Sequence, residues 1–210
     1  MRITVITDSS SWMNPYSENL AEMLRSRGAN VNLVCSKNDI KKGDILFLLS
    51  CFQLVNKEVL DLNKHNIVVH ASALPQGKGW SPTTWQILED KDVIPLTLFE
   101  ASEKMDSGNI YFRDMISLKG NELLPEIRAI LGKKIVDMCV CFFENHNNSV
   151  GQKQIGEESF YRRRKPEDSA LDIDKTIREQ FNLLRVVDND RYPAYFEIFG
   201  RKYVIKIYGE

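Results

Sequence analysis

The chain has 210 residues, with 28 Lys and Arg against 29 Asp and Glu and 43% hydrophobic residues, so its net charge is −1. That length suits one main domain with a small appendage, and the charge balance gives a polyanionic partner such as nucleic acid no electrostatic footing. Four cysteines, Cys35, Cys51, Cys139 and Cys141, lie in apolar runs without a CxxC pair or clustered histidines, which argues against a disulfide framework or a bound metal and predicts reduced, buried thiols.

The chain opens on MRITVIT, an apolar run too short for a signal peptide, and no stretch of ~18 apolar residues follows. The expectation is a soluble cytoplasmic protein with no membrane contact. Ile3 to Thr7 reads as the first strand. Asn14-Pro15 then opens a helix with Tyr16, Leu20, Met23 and Leu24 on one face, and Gly28 closes it. Val31 to Cys35 is a second strand, and Asp44 to Leu49 is a continuous apolar run of the kind buried on both faces of a sheet. A short helix around Glu58 to Leu62 leads to another strand at Ile67 to His70. This alternation predicts an α/β fold, a Rossmann-like, doubly wound, open and mostly parallel sheet with flanking helices.

A loop from Ala71 to Ser81, a helix from Pro82 to about Glu89, and strands at Leu96 to Glu100 and Asn109 to Phe112 come next. Between Glu122 and Asn145, Leu124, Ile127, Leu131, Ile135, Met138 and Phe142 recur at spacings of three and four, the pattern of one buried helical stripe. The composition then turns polar. HNNSVGQKQ reads as a linker, YRRRKPED as a charged and solvated run, Thr176 to Leu184 as helical, and Tyr192 to Tyr208 as a hairpin turning at Phe199-Gly200-Arg201 with Phe196, Val204 and Ile205 half-buried. The resulting division is a main domain over residues 1–148 and a small C-terminal subdomain, a helix and β-hairpin extension, over 149–210.

The turn after the first strand, Thr7-Asp8-Ser9-Ser10-Ser11-Trp12, carries no GxGxxG, and no Walker A loop is present, which disfavours dinucleotide binding and nucleotide hydrolysis. Attention moves to the end of the Ile67 strand, because ligands of open α/β sheets sit at the carboxyl ends of strands. His70 ends that strand, and Asp106 lies in Met105-Asp106-Ser107-Gly108-Asn109-Ile110. Alone, the histidine is more often structural than catalytic, and the aspartate is an ordinary turn residue.

Taken together, His70-Ala71-Ser72-Ala73-Leu74-Pro75, Lys78-Gly79, Pro82, Trp85, Leu88, Thr97-Leu98 and Asp106-Ser107-Gly108-Asn109-Ile110 resemble, in order and spacing, the folate-dependent formyltransferase family. That family includes methionyl-tRNA, glycinamide ribonucleotide and sugar N-formyltransferases. The resemblance implies a formyl transfer from N10-formyltetrahydrofolate as co-substrate to an amine, with His70 as general base and Asp106 orienting it. It places the pterin along the backbone of Phe99, Glu100 and Ala101, and the acceptor near Ser72, Lys78 and Trp80. One departure stands out. The family asparagine two residues before the histidine is Val68 here, and Asn66 lies too far back along the strand to replace it. Three readings stay open: Ser50, Ser72 or a backbone N–H stabilises the oxyanion; His70 does so itself; or the chain has lost activity.

For the acceptor, Asp8-Ser9-Ser10-Ser11 lacks the glycines that hold a phosphate in glycinamide ribonucleotide enzymes, and Asp8 would repel one. The near-zero charge and short C-terminal part count against tRNA. The segment with Arg162, Arg163, Arg164, Arg178 and Arg185, Tyr192-Pro193-Ala194-Tyr195-Phe196 and Gly200-Arg201-Lys202 resembles that of sugar N-formyltransferases, whose arginines and aromatics suit a nucleotide-linked sugar carried by UDP or dTDP. In that family the product usually serves surface-polysaccharide synthesis. The alternatives are an aminoacyl or glycinamide-type acceptor, or a non-catalytic folate or nucleotide-sugar binding module. The strand at Val204 to Tyr208 would serve a homodimer or pack internally.

Overall fold

A computed structural model describes residues 1–53 and 55–210. The first half is built as β1 (Arg2–Ile6), α1 (Asn14–Ser26), β2 (Asn30–Val34), β3 (Gly43–Leu48), α2 (Lys57–Leu60) and β4 (Asn63–His70). It continues through β5 (Lys78–Gly79), α3 (Pro82–Leu88), β6 (Val93–Glu100), β7 (Ile110–Ser117) and α4 (Leu124–Asn145). A two-residue strand β8 (Phe160–Tyr161), a short helix α5 (Phe181–Val186) and the hairpin β9 (Ala194–Ile198) and β10 (Arg201–Ile205) complete the chain.

The main sheet has the order β2-β1-β3-β4-β6-β7. Its first four strands run parallel, while β6 is antiparallel to both β4 and β7. The expected open, mostly parallel sheet is therefore the observed one, with β6 as its antiparallel member. Period-2 alternation explains why β3 can be apolar throughout: Ile45, Phe47 and Leu49 enter the large core under α1 and α4, while Leu46 and Leu48 enter a second core with Ile6 and Ile40. Each fully buried side chain of this kind contributes ~1.5–3 kcal/mol relative to exposure.

α1 starts where Pro15 presets the first turn, and its buried Leu20, Ala21 and Leu24 share the large core with α4. α4 buries Ile127, Leu131, Ile135, Met138 and Phe142 as the spacing predicts, with Leu124 half-buried at its start. β6 and the edge strand β7 run further than the sequence suggests. β6 begins at Val93 and β7 reaches Ser117, because on the edge strand β7 the exposed Arg113 and Met115 and the half-buried Asp114 mask the alternation.

The expectation of buried thiols needs correcting. All four cysteines are free, yet Cys139 alone is buried, Cys51 is half-buried and Cys35 and Cys141 are exposed. Cys141 lies next to Phe142 but on the solvent side of α4, and Cys35 follows the edge strand β2.

The helix expected over Thr176 to Leu184 forms later, at Phe181–Val186. The hairpin turns at Phe199 and Gly200, both with positive φ, as a two-residue turn demands. Its inner positions differ from the expectation: Phe196 and Ile205 are half-buried, but Val204 is 56% exposed, because β10 pairs with β9 alone among the described residues. No helix among the described residues is long and apolar enough to cross a membrane.

Candidate functional site

β1, β3 and β4 end side by side, so Asp8, Ser50 and His70 gather at one edge of the sheet, where the order reverses around β1. Asp8 does structural work there. Its carboxylate accepts from the Phe52 N–H at 2.8 Å and from Gln53 Nε2 at 3.1 Å, holding the loop after β3. That loop presents Phe52, 63% exposed, stacked on Trp80 at 5.4 Å between centroids.

His70 is 9% exposed. Its Nε2 lies 2.8 Å from the Gly77 carbonyl oxygen and 3.8 Å from Asp106 Oδ2. A carbonyl can only accept, so Nε2 carries the hydrogen and, in the neutral ring, Nδ1 keeps the lone pair. Asp106 Oδ2 also accepts from the Gly79 N–H at 2.8 Å, which ties the aspartate to the loop that holds the histidine. Asp106 adopts a left-handed backbone, φ 49°, which aspartate tolerates. Two residues on, a Cβ at Gly108 would lie 1.7 Å from the Glu100 carbonyl oxygen, so only glycine lets this turn lie against β6.

Val68 pairs with Phe99 across β4 and β6 and packs on Leu74, Phe99 and Ile110, forming an apolar wall beside His70. The Asn66 amide donates to the Leu60 carbonyl at 3.1 Å, so its donor is spent away from the histidine. Ser72 is buried, and its hydroxyl has no hydrogen-bond partner among the described residues. Ser50 is half-buried with φ 48°. Along β6, the Glu100 carboxylate accepts from the Tyr111 hydroxyl at 2.8 Å and from the Asn66 N–H, and the Ala101 N–H donates to the Asn66 carbonyl at 2.6 Å. Phe99 is fully buried.

The other residues singled out from the sequence divide. Trp80 is half-buried with the Arg163 guanidinium 5.0 Å from its ring centroid. Lys78 is 0% exposed, and its ammonium donates to Ser107 Oγ at 2.8 Å and to Glu158 Oε1 at 2.7 Å. Arg185 is 1% exposed and donates to Glu122, so its charge is satisfied inside the protein rather than offered to a ligand. No hydrogen bond or ion pair among the described residues links it to His70 or Asp106. The arginine run is exposed at Arg162 and Arg163 but engaged rather than solvated, because Arg162 stacks 4.7 Å over Trp85 and pairs with Asp168.

The linker expected after Asn147 hides contacts that periodicity could not show. Gln154 Nε2 donates to the carbonyls of Asp106 at 2.9 Å and Gly108 at 3.0 Å, and β8 pairs in parallel with β5. A two-residue strand is too short to announce itself by alternation. Among the described residues, no group of His, Cys, Asp or Glu is arranged to hold a metal.

Comparison with known proteins bears on this geometry. The model of a family described as formyl transferase matches residues 4–131. Methionyl-tRNA formyltransferase of Clostridium beijerinckii is 29% identical over 148 residues, covering 69% of this chain and 48% of that protein. The chain spans about half the length of that curated relative. Among solved structures, methionyl-tRNA formyltransferase from Clostridium thermocellum superposes with a TM-score of 0.84 at 20% identity, covering 99% of this chain and 92% of that one. A 4-N formyltransferase from Francisella tularensis gives a TM-score of 0.78 at 21% identity over 100% and 98% of the two chains. At these identities the structural likeness speaks for the fold.

Proposed function

The chain belongs to the formyl transferase family, and from that premise we propose that it moves a formyl group from N10-formyltetrahydrofolate to the amine of a nucleotide-linked amino sugar. The observation that carries the chemistry is the pinned imidazole: with Nε2–H held by Gly77 and facing Asp106, Nδ1 is the free base. The folate co-substrate supplies an activated formyl carbon. The apolar wall of Val68, Leu74, Phe99 and Ile110 suits the flat face of a pterin, and the unpartnered Ser72 hydroxyl supplies a polar atom beside it.

In this reading the amine would attack the formyl carbon, His70 Nδ1 would take the proton that the amine loses with Asp106 stabilising the imidazolium, and the formyl carbon–N10 bond would then break as that proton passes to N10, releasing tetrahydrofolate. With Val68 unable to donate, charge building on the formyl oxygen falls to Ser72, Ser50 or a backbone N–H. The acceptor lies against Trp80, with Phe52 and Arg163 around the same ring. A small acceptor suits the chain's net charge of −1, which offers a tRNA no long-range attraction. The second reading, an aminoacyl acceptor, is favoured by the methionyl-tRNA formyltransferase of Clostridium beijerinckii among the relatives.

The test is mass spectrometry of purified protein with N10-formyltetrahydrofolate and panels of UDP- and dTDP-linked amino sugars, with methionyl-tRNA alongside. Gain of one formyl group on a sugar supports the proposal, and gain on the aminoacyl amine alone replaces it. His70→Asn and Asp106→Ala should each lower kcat by about 10²–10⁴-fold without unfolding the chain. Wild-type rates in either folded variant would remove the assigned roles.

A further inference from the structure

Residues 152–161 run across both loops that carry the proposed catalytic pair. The Gly77 carbonyl that accepts from His70 belongs to the same peptide unit as the Lys78 N–H, and that N–H donates to the Ser159 carbonyl at 2.9 Å. On either side of this unit, the Gly77 N–H donates to Ser159 Oγ at 2.8 Å and the Trp80 N–H to the Tyr161 carbonyl at 3.1 Å. The second loop is bound by the same segment through Gln154, on the Asp106 and Gly108 carbonyls. Lys78 joins all three pieces: its buried ammonium reaches Ser107, beside Asp106, and Glu158 of the segment. Space is tight as well, since a Cβ at Gly79 would stand 2.4 Å from the Tyr161 carbonyl oxygen.

The geometry points to Gln154, Glu158 and Lys78 as positioning residues: this strap fixes the orientation of the Gly77–Lys78 peptide and, through it, the Nε2–H tautomer of His70. A fully buried lysine whose charge is spent on a serine and a glutamate is a tie between loops rather than a surface for a ligand. If the strap lets go, the peptide can turn its carbonyl away and the imidazole can place its hydrogen on Nδ1, the atom that must be free to take a proton.

The kinetic arm of the test rests on the formyl-transfer reading, and the spectroscopic arm does not. Long-range 1H–15N spectra of the three histidines, with His70 assigned by its loss in His70→Asn, report the tautomer directly. In the wild type we expect His70 in the Nε2–H form. Glu158→Gln and Gln154→Ala, each checked for folding by circular dichroism, should mix in the Nδ1–H form and lower kcat by up to about 100-fold, with KM for the formyl donor within about twofold. Lys78→Arg, which keeps the charge, should retain more of kcat than Lys78→Met. Folded variants with an unchanged His70 spectrum overturn the inference whatever the rates do. A changed spectrum with an unchanged kcat overturns it too. Should the wild type transfer no formyl group, the proposed function fails, while the spectra still decide the strap.

Discussion

The guanidinium of Arg185 donates through Nη2 to Glu122 Oε2 at 2.8 Å and through Nε to the Glu122 carbonyl at 3.0 Å. Burial pushes the Glu122 carboxyl up, but the N–H groups of Lys119 and Gly120 and the Arg185 charge outweigh it and hold the carboxyl below its usual range. Breaking such a pair leaves one charge stranded in the interior, at a cost of about 3–5 kcal/mol. Arg185→Met should therefore lower unfolding free energy in urea by that amount, and adding Glu122→Gln should restore most of it. A loss below about 1 kcal/mol would mean that Glu122 finds water or another cation. The thiols give a second residue-scale expectation. Burial, with Asp8 alongside and the Gln53 N–H opposing, pushes Cys51 up to about 11, whereas Cys35 and Cys141 stand in solvent. At pH 8 an aromatic disulfide reagent should titrate Cys35 and Cys141 quickly and reach Cys51 and Cys139 only after unfolding. Four fast thiols would contradict this packing.

At the scale of elements, the contact between α1 and α4 turns on a glycine. A Cβ built at Gly132, inside α4, would fall 2.7 Å from the Tyr16 ring of α1, and that ring is itself held edge-on by Trp12 at 6.0 Å. Alanine is better than glycine in a helix by ~1 kcal/mol, while overpacking a filled contact costs ~1–3 kcal/mol. Gly132→Ala should thus destabilise by about 1 kcal/mol, and a raised Tm would show that Tyr16 swings away freely. The elements also show what a sequence can reveal. α4 and β3 were legible because the spacing of Ile127, Leu131 and Ile135 and the unbroken run from Ile45 to Leu49 follow from long, regular burial. The His70 and Asp106 loops were legible through their resemblance to a family rather than through periodicity. The strap was illegible, since Gln154 and Glu158 meet their partners by polar contacts across loops distant in sequence, and nothing in a local pattern records a partner far along the chain. That Asp8 holds the Phe52 loop was equally illegible, since the role depends on β1 and β3 being neighbours.

At the scale of the whole molecule, residues after about 150 are joined to the rest by the β5–β8 pairing, the Gln154 bonds and Val186 in the large core, and also by carboxylate–cation pairs, Lys78–Glu158, Glu122–Arg185 and Arg128–Asp188, with Arg162–Asp168 within the segment. The sheet itself is held by apolar clusters. The carboxyls are all held below their usual range: Glu158 by the Lys78 and Lys104 ammonium groups, Asp168 at about 2 chiefly by Arg162, and Asp188 by N–H groups and Arg128 against the opposing effect of burial. A carboxyl whose folded pKa is depressed contributes stability that is fully present above its unfolded value and is lost as pH falls through the folded one. The window therefore opens near the ordinary values of 4.5 for Glu158 and 3.8 for Asp168, and for Asp168 it closes at about 2. Acid should loosen the C-terminal segment while the sheet persists, because protonation removes pairs that the segment relies on, whereas the sheet rests on its large apolar clusters. Segment-resolved hydrogen exchange at pH 7 and near pH 2, corrected for intrinsic rates, should show residues 152–190 losing protection while β1, β3 and β4 keep theirs. Simultaneous loss in both would mean that the chain opens as one cooperative unit and that its charge pairs do not hold the segment separately.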